Sequence, residues 1–207
     1  LNAIAESYLG LGEYETAADV AEDAHALWLA IQGADSERAL NSLGVRTTSL
    51  LNMNDTPAIA LAAAHELVAG CKKLYRPGHP NTIDAMLLLT RAERRVGDPG
   101  RVPNVVKDAY ELSKKHNGPQ HRATLQALNS LGVAAGQVGA WSAAVKHHKA
   151  AYETMAIRYG EDDEAALQFG HNLGSAFLKA AAGLPAGKTA DLLREEGVRT
   201  LENVVEQ

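Results

Sequence analysis

The chain has a single cysteine, Cys71, so no disulfide can form within it. That fits a reducing, cytoplasmic setting. Aromatic residues make up only 5% of the 207 residues, although 46% are hydrophobic. The apolar mass is therefore alanine, leucine and valine, which favour helix packing over a β-sandwich. No apolar run approaches the roughly 18 residues that a membrane helix needs. The first residues also lack the charged-then-apolar order of a signal peptide. Net charge is −5, with no basic excess. That argues against nucleic acid or a membrane surface as partner. Strand-like alternation is missing throughout.

What is present is repetition. The heptapeptide ALNSLGV occurs at residues 39–45 and again at 127–133. Residues 1–24 also lie over residues 128–151 without a gap. Leu1 meets Leu128, Asn2 meets Asn129, Ala5 meets Gly132, Gly12 meets Gly139, and Tyr14 meets Trp141. Ala17 and Ala24 fall on Ala144 and Ala151, and the same frame brings in Gly97, Val102 and Ala109. Gly97 and Gly139 are 42 residues apart. Self-similarity at such a period is the signature of stacked repeats.

Each repeat reads as two helices. The first carries apolar or small residues at helical spacing, as in Leu128, Leu131, Gly132 and Ala135. A glycine breaks it. The second begins near an aromatic and places alanines seven residues apart, which lets a neighbouring helix come close. Short turns join the repeats: GADS (33–36), RPGHPN (76–81), NGPQH (117–121) and GEDD (160–163). Ser36, Thr82, Asp84, Asp163 and Thr189 are N-cap or first-turn candidates. His79 and His121 recur at the turns, which suggests a structural role. LLNMNDTP (50–57) is a longer break, with Pro57 suited to a first helical position. GDPGRVP (97–103) delays a helix start, and AAGLPAGKT (181–189) lengthens a turn. The repeats are placed at about 1–33, 34–78, 79–118, 119–160 and 161–207, as one array. The chain opens at Leu1 already inside a helical pattern, which reads as a piece of a longer protein.

These positions resemble the tetratricopeptide repeat. The likeness is carried by Leu1, Ile4, Ala5, Tyr8, Gly12, Tyr14, Ala17 and Ala24 in the first repeat. In the fourth it is carried by Leu128, Leu131, Gly132, Gly139, Trp141, Ala144 and Ala151. Thr90 and Glu93 in the third depart from the pattern. The usual repeat is about 34 residues. The longer form, with HPNT (79–82) ahead of a helix, looks like the kinesin-light-chain type. The resemblance implies an all-α, right-handed superhelical solenoid of about five antiparallel helix pairs. It further implies an inner groove, lined by the first helices, that holds a peptide or partner helix.

First-helix positions not needed for stacking are the groove candidates. They are Asn2 and Glu6; Arg38, Asn41 and Val45; Asp84, Leu87, Arg91, Arg94 and Arg95; Gln126, Asn129, Val133 and Gln137; and Gln168, His171, Ser175 and Lys179. Asn2, Asn41 and Asn129 recur at one repeat position, and an amide can pair with any peptide backbone. The competing reading is that they bridge neighbouring helices. Arg91, Arg94 and Arg95, with Lys179, suit a partner with acidic features or a terminal carboxylate. The competing reading there is a solvated helix face.

Signals for chemistry are weak. AGLPAGKT (182–189) matches the loose form of a phosphate-binding loop, but that motif needs a preceding strand, and NLGSAFLKAA reads as helix. A bare anion at the helix start needs no catalytic role. His147 and His148 are adjacent and so face different ways. HELVA (65–69) lacks the second histidine of a zinc-protease helix. Cys71 reads as a buried small apolar residue. No serine-elbow pattern occurs. No catalytic, metal or cofactor residue is assigned. The expected role is protein or peptide binding within a larger signalling or regulatory protein. The alternatives are a packing module that self-associates or holds another part of its own chain, and, remotely, nucleotide binding at AGLPAGKT.

Overall fold

The computed structural model describes all residues except Asp35, Asn54, 97–101 and Gln207. Among the described residues there are ten helices and no strand. They are α1 (Asn2–Gly10), α2 (Tyr14–Gln32), α3 (Glu37–Asn52), α4 (Pro57–Leu74) and α5 (Pro80–Val96). Next come α6 (Val102–Asn117), α7 (Arg122–Gln137), α8 (Trp141–Tyr159), α9 (Glu164–Ala182) and α10 (Lys188–Val205). The chain divides into two compact units, Leu1–Val105 and Val106–Gln207. In the first unit α1 packs on α2 and α3, and α3 packs on α4 and α5. In the second, α7 packs on α8 and α9, and α9 packs on α10. The first helices of successive pairs thus lie side by side within each unit.

Small residues set the helix spacing. Ala17, Ala21 and Ala24 on α2, and Ala144 and Ala151 on α8, are buried. The α9–α10 crossing is closer still. A Cβ on Gly174 would lie 3.0 Å from the Gly197 carbonyl oxygen, so the two backbones touch. Larger apolar groups fill the spaces left, as in the cluster of Leu125, Met155 and Phe169. Thr90 and Glu93, which break the repeat pattern, are buried too. The Thr90 hydroxyl donates back to the Met86 carbonyl at 2.9 Å, so its polarity is satisfied within α5.

The turns carry the repeat most faithfully. Ser36 Oγ accepts from Ala39 N at 3.2 Å. His79 Nδ1 accepts from Asn81 N, and His121 Nδ1 from Ala123 N, each at 3.2 Å. Asp163 accepts from Ala165 N at 3.0 Å and Ala166 N at 3.3 Å. Four first helices therefore start on a side-chain cap, at positions 36, 79, 121 and 163. Thr82 lies in the first turn of α5, and Asp84 stands just past it. Gly12 and Gly139 end α1 and α7 regions at φ +79° and +74°, the left-handed conformation that glycine adopts without strain. Pro57 opens α4, as its fixed φ suits. Thr189 does not cap α10: the helix begins at Lys188 after Gly187, with no side-chain cap. Gly97, and most of GDPGRVP, lie outside the described residues.

Candidate functional site

The N-terminal unit holds a cavity of about 370 Å³. Four predicted groove residues line it: Glu6 from α1, Asn41 and Val45 from α3, and Asp84 from α5. Leu40, Gly44, Leu67, Cys71, Tyr75, Asn81 and Leu88 are among its other lining residues. Asn81 Nδ2 donates to the Tyr75 hydroxyl at 3.2 Å, and the Tyr75 ring stacks on His79 at 4.1 Å. Asp84 is exposed, yet it stands in this concavity with protein around it. Desolvation pushes its carboxyl up to about 6. Burial, followed by the Asp84 charge, pushes the Cys71 thiol up to about 11, so it stays protonated.

The C-terminal unit holds a second cavity, of about 290 Å³. Val133 and Gln137 from α7 and Ser175 and Lys179 from α9, all among the groove candidates, line it. Gly132, Gly136, Asn172, and Trp141, Ala144 and His148 from α8 were not predicted. No periodic signal within first helices could have found the α8 residues, because they belong to the second helix of the pair. A broader apolar hollow of about 910 Å³, lined by Trp141, Val145, Leu184 and Leu193 among others, contains no predicted residue.

The asparagines separate into two kinds. Asn2 Oδ1 accepts from Ser42 Oγ at 2.7 Å and from Trp28 Nε1 at 3.3 Å, while its Nδ2 donates to the Arg38 carbonyl. Asn129 is buried, and its Oδ1 accepts from His148 Nδ1 at 2.6 Å and Asn172 Nδ2 at 3.3 Å. Both therefore bridge three helices, and their amides are engaged inside the protein. Asn41 is exposed and lines the first cavity. The reason is register. Asn41 stands five residues after its cap, Ser36, whereas Asn129 stands eight after His121. A three-residue offset turns a side chain by roughly 60° short of a full turn. The two ALNSLGV copies therefore present different faces, which corrects the expectation that the three asparagines share one position.

The other predicted residues lie outside both cavities. Arg38 is exposed and stacks on the Trp28 ring at 4.6 Å. Leu87 and Gln126 are half-buried, and Gln168 and His171 are exposed. On α5, Arg91 is half-buried and Arg94 and Arg95 are exposed. Arg95 Nη1 donates to the Met53 carbonyl at 2.6 Å, where the end of α3 favours a cation. Arg91 and Arg94 have no ion-pair or hydrogen-bond partner among the described residues. Desolvation first, then the neighbouring arginines, lowers the pKa of both guanidiniums. They stay charged, but the direction records charges that lack a counter-ion.

His148 is held neutral. Burial, with a smaller push from His147, lowers it to about 4. Downstream, AGLPAGKT follows helix α9 rather than a strand, so the setting of a phosphate-binding loop is not there. No helix among the described residues is long and apolar enough to cross a membrane.

No family model matches the chain, and no curated protein matches it by sequence. Solved structures do match it. The kinesin-light-chain TPR-like repeats of a Podosopora anserina protein superpose with a TM-score of 0.69 at 18% identity, covering 99% of this chain and 92% of that one. BtubC from P. vanneervenii gives 0.70 at 15% identity, covering 92% and 74%. A Rap protein complexed with Competence and Sporulation Factor gives 0.67 at 16% identity, covering 98% and 62%. The chain has the all-α, tetratricopeptide-like repeat fold that these structures share.

Proposed function

We propose that the chain docks a segment of a partner protein, extended or helical, on the face lined by its first helices, and that this segment carries acidic side chains or a terminal carboxylate. On this reading the five helix pairs act as one array, the sensor or scaffold part of a larger signalling or regulatory protein. One observation carries it: Arg91 and Arg94 stand on α5, just past Leu88 of the first cavity, the one half-buried and the other exposed, both without a counter-ion among the described residues. Arginine forks suit carboxylates. Asn41 at the cavity adds a free amide for a peptide backbone. The Rap structure, a like fold holding a bound factor, supports the class of role.

A peptide array of varied charge tests this. Acidic peptides are expected to bind, more weakly as salt rises. R91E/R94E is expected to abolish that binding while the helical circular dichroism stays unchanged. Acidic peptides that bind the variant equally well refute the reading. Self-association is a second reading, favoured by exposed Ile4, Leu11, Leu27 and Ile31 on the first helix pair. Light scattering on the purified chain separates a monomeric binder from an oligomer.

A further inference from the structure

The turn from α6 to α7 contains a chemically labile pair. Of the asparagines in the sequence, only Asn117 is followed by glycine. Asparagine is a thermolabile residue, and a glycine after it leaves its side chain open to attack by the next main-chain nitrogen. The fold itself demands that glycine. Asn117 is the last residue of α6, and Gly118 turns the chain at φ +90°, the left-handed conformation. The asparagine is tied down by hydrogen bonds that all run one way. Asn117 Nδ2 donates to Ser113 Oγ at 3.2 Å. Thr124 Oγ1 gives its one proton to the Gly118 carbonyl at 2.8 Å. Ser113 must then be the donor in the 2.7 Å bond between the two hydroxyls. Both hydroxyl residues are buried. A relay thus runs from the Asn117 amide through Ser113 and Thr124 to the glycine next to it.

Deamidation would start with the Gly118 nitrogen losing its proton and attacking Asn117 Cγ. The new N–C bond closes a succinimide, the Cγ–Nδ2 bond breaks, and the nitrogen leaves as ammonia with the proton. Water then opens the ring at either carbonyl, giving aspartate or isoaspartate; nothing is oxidised or reduced. In the closed turn this step is blocked. The Gly118 N–H donates to the Lys114 carbonyl at 3.1 Å, and helical backbone at Asn117 keeps that nitrogen away from the side chain. Reaction therefore waits on opening of the last turn of α6, and local openings of this kind cost far less than global unfolding. The products do not restore the turn. Isoaspartate lengthens the main chain by a methylene, so Gly118 cannot regain both its N–H bond to Lys114 and its carbonyl bond to Thr124. Aspartate keeps the main-chain length but has only acceptors, so Ser113 loses the donor it had.

We propose that Asn117 is a site of spontaneous deamidation, gated by opening of the α6–α7 turn, and that its products leave this turn unable to close with its native hydrogen bonds. The change is one-way, so it records how often the turn has opened. It is independent of the docking reading above.

The test is to age the purified chain at mildly alkaline pH and map its peptides by mass spectrometry, with isoaspartyl methyltransferase labelling to read isoaspartate. The Asn117 peptide is expected to gain about one dalton before any other asparagine peptide does. In urea well below the unfolding midpoint the rate should stay nearly flat, because a local opening exposes little surface. In the fully unfolded chain it should rise roughly tenfold or more. Thr124→Val removes the last link of the relay and should speed the folded chain's reaction roughly five- to tenfold, the weight of one net hydrogen bond. Hydrogen exchange at the Gly118 amide should be faster in the aged, modified fraction than in fresh protein. An Asn117 left unmodified in the folded chain overturns the proposal, as does another asparagine reacting first. A rate that climbs with urea in step with global unfolding overturns the gating by the turn, as does a Thr124→Val chain that reacts at the wild-type rate. Unchanged Gly118 exchange in the modified fraction overturns the claim about the products. The urea series uses the wild-type chain alone, so it decides the matter whether or not the variant folds.

Discussion

Gly44 and Gly132 occupy the same place in two identical heptapeptides, and both lie inside helices, α3 and α7. Replacing each by alanine should nevertheless have different effects. Alanine in a helix interior gains about 1 kcal/mol over glycine at either position. At Gly44 the new methyl meets Leu67 Cδ2 at 3.9 Å, an ordinary contact. G44A should therefore be neutral to stabilising, by up to about 1 kcal/mol. At Gly132 the methyl would lie 2.6–2.7 Å from three atoms of the His148 ring. That ring is buried and tied to Asn129, so it cannot swing into solvent. Overpacking of this kind costs about 1–3 kcal/mol. The helix term is common to both variants, so G132A minus G44A isolates the steric cost, about 1–3 kcal/mol destabilising. Urea unfolding followed by circular dichroism gives both numbers, and amide exchange in each unit assigns them. Equal effects of the two substitutions would refute the claim that the heptapeptides sit in different registers.

Acid should weaken the fold through His148. Its folded pKa, about 4, lies below the unfolded 6.5, so the unfolded chain binds the proton first. Stability is full above pH 6.5 and falls by about 1.4 kcal/mol per unit towards pH 4. His148→Asn should flatten the urea midpoint over that window. Asp84, with its raised pKa, acts in the opposite sense as pH falls through 6, so the difference between variant and wild type is the quantity to compare. Asp163 both caps α9 and forms a two-pronged pair with Arg122, at 2.6 and 3.1 Å. The Arg122 hydrogen bond holds its carboxyl below the usual range, so this contribution persists at neutral pH and is lost only in strong acid. Asp163→Ala should cost about 1–2 kcal/mol in thermal unfolding, mostly the cap, with a few tenths from the partly exposed pair. Asp163→Asn, which keeps the cap, should cost less.

Much of the fold was legible because helix pairs repeat their demands. Alanines at seven-residue spacing, a glycine after the first helix and an aromatic opening the second mark the first and fourth pairs. The caps were only partly legible. Ser36 and Asp163 are the usual capping types, and His79 and His121 stood out by recurrence. Thr189 misled because a threonine before a helical run carries no sign of where the first turn closes. Glu6, Asn41 and Asp84 at one cavity and Gln137, Ser175 and Lys179 at the other had been named from first-helix spacing as groove candidates. His148 and Trp141 were not, because they reach the cavity from α8.

The sequence by itself determined the helix pairing, the turns and the period, since these rest on local spacing and backbone conformation. It also placed Arg91 and Arg94 together, one turn apart on one helix. Only the tertiary structure decided which asparagine faces outward. Asn41 and Asn129 have the same neighbours in the chain, but each sits at a different distance from its cap. That distance rotates the helix against its neighbours. A rotation of roughly 60° is enough to exchange a place at the cavity for one in the core.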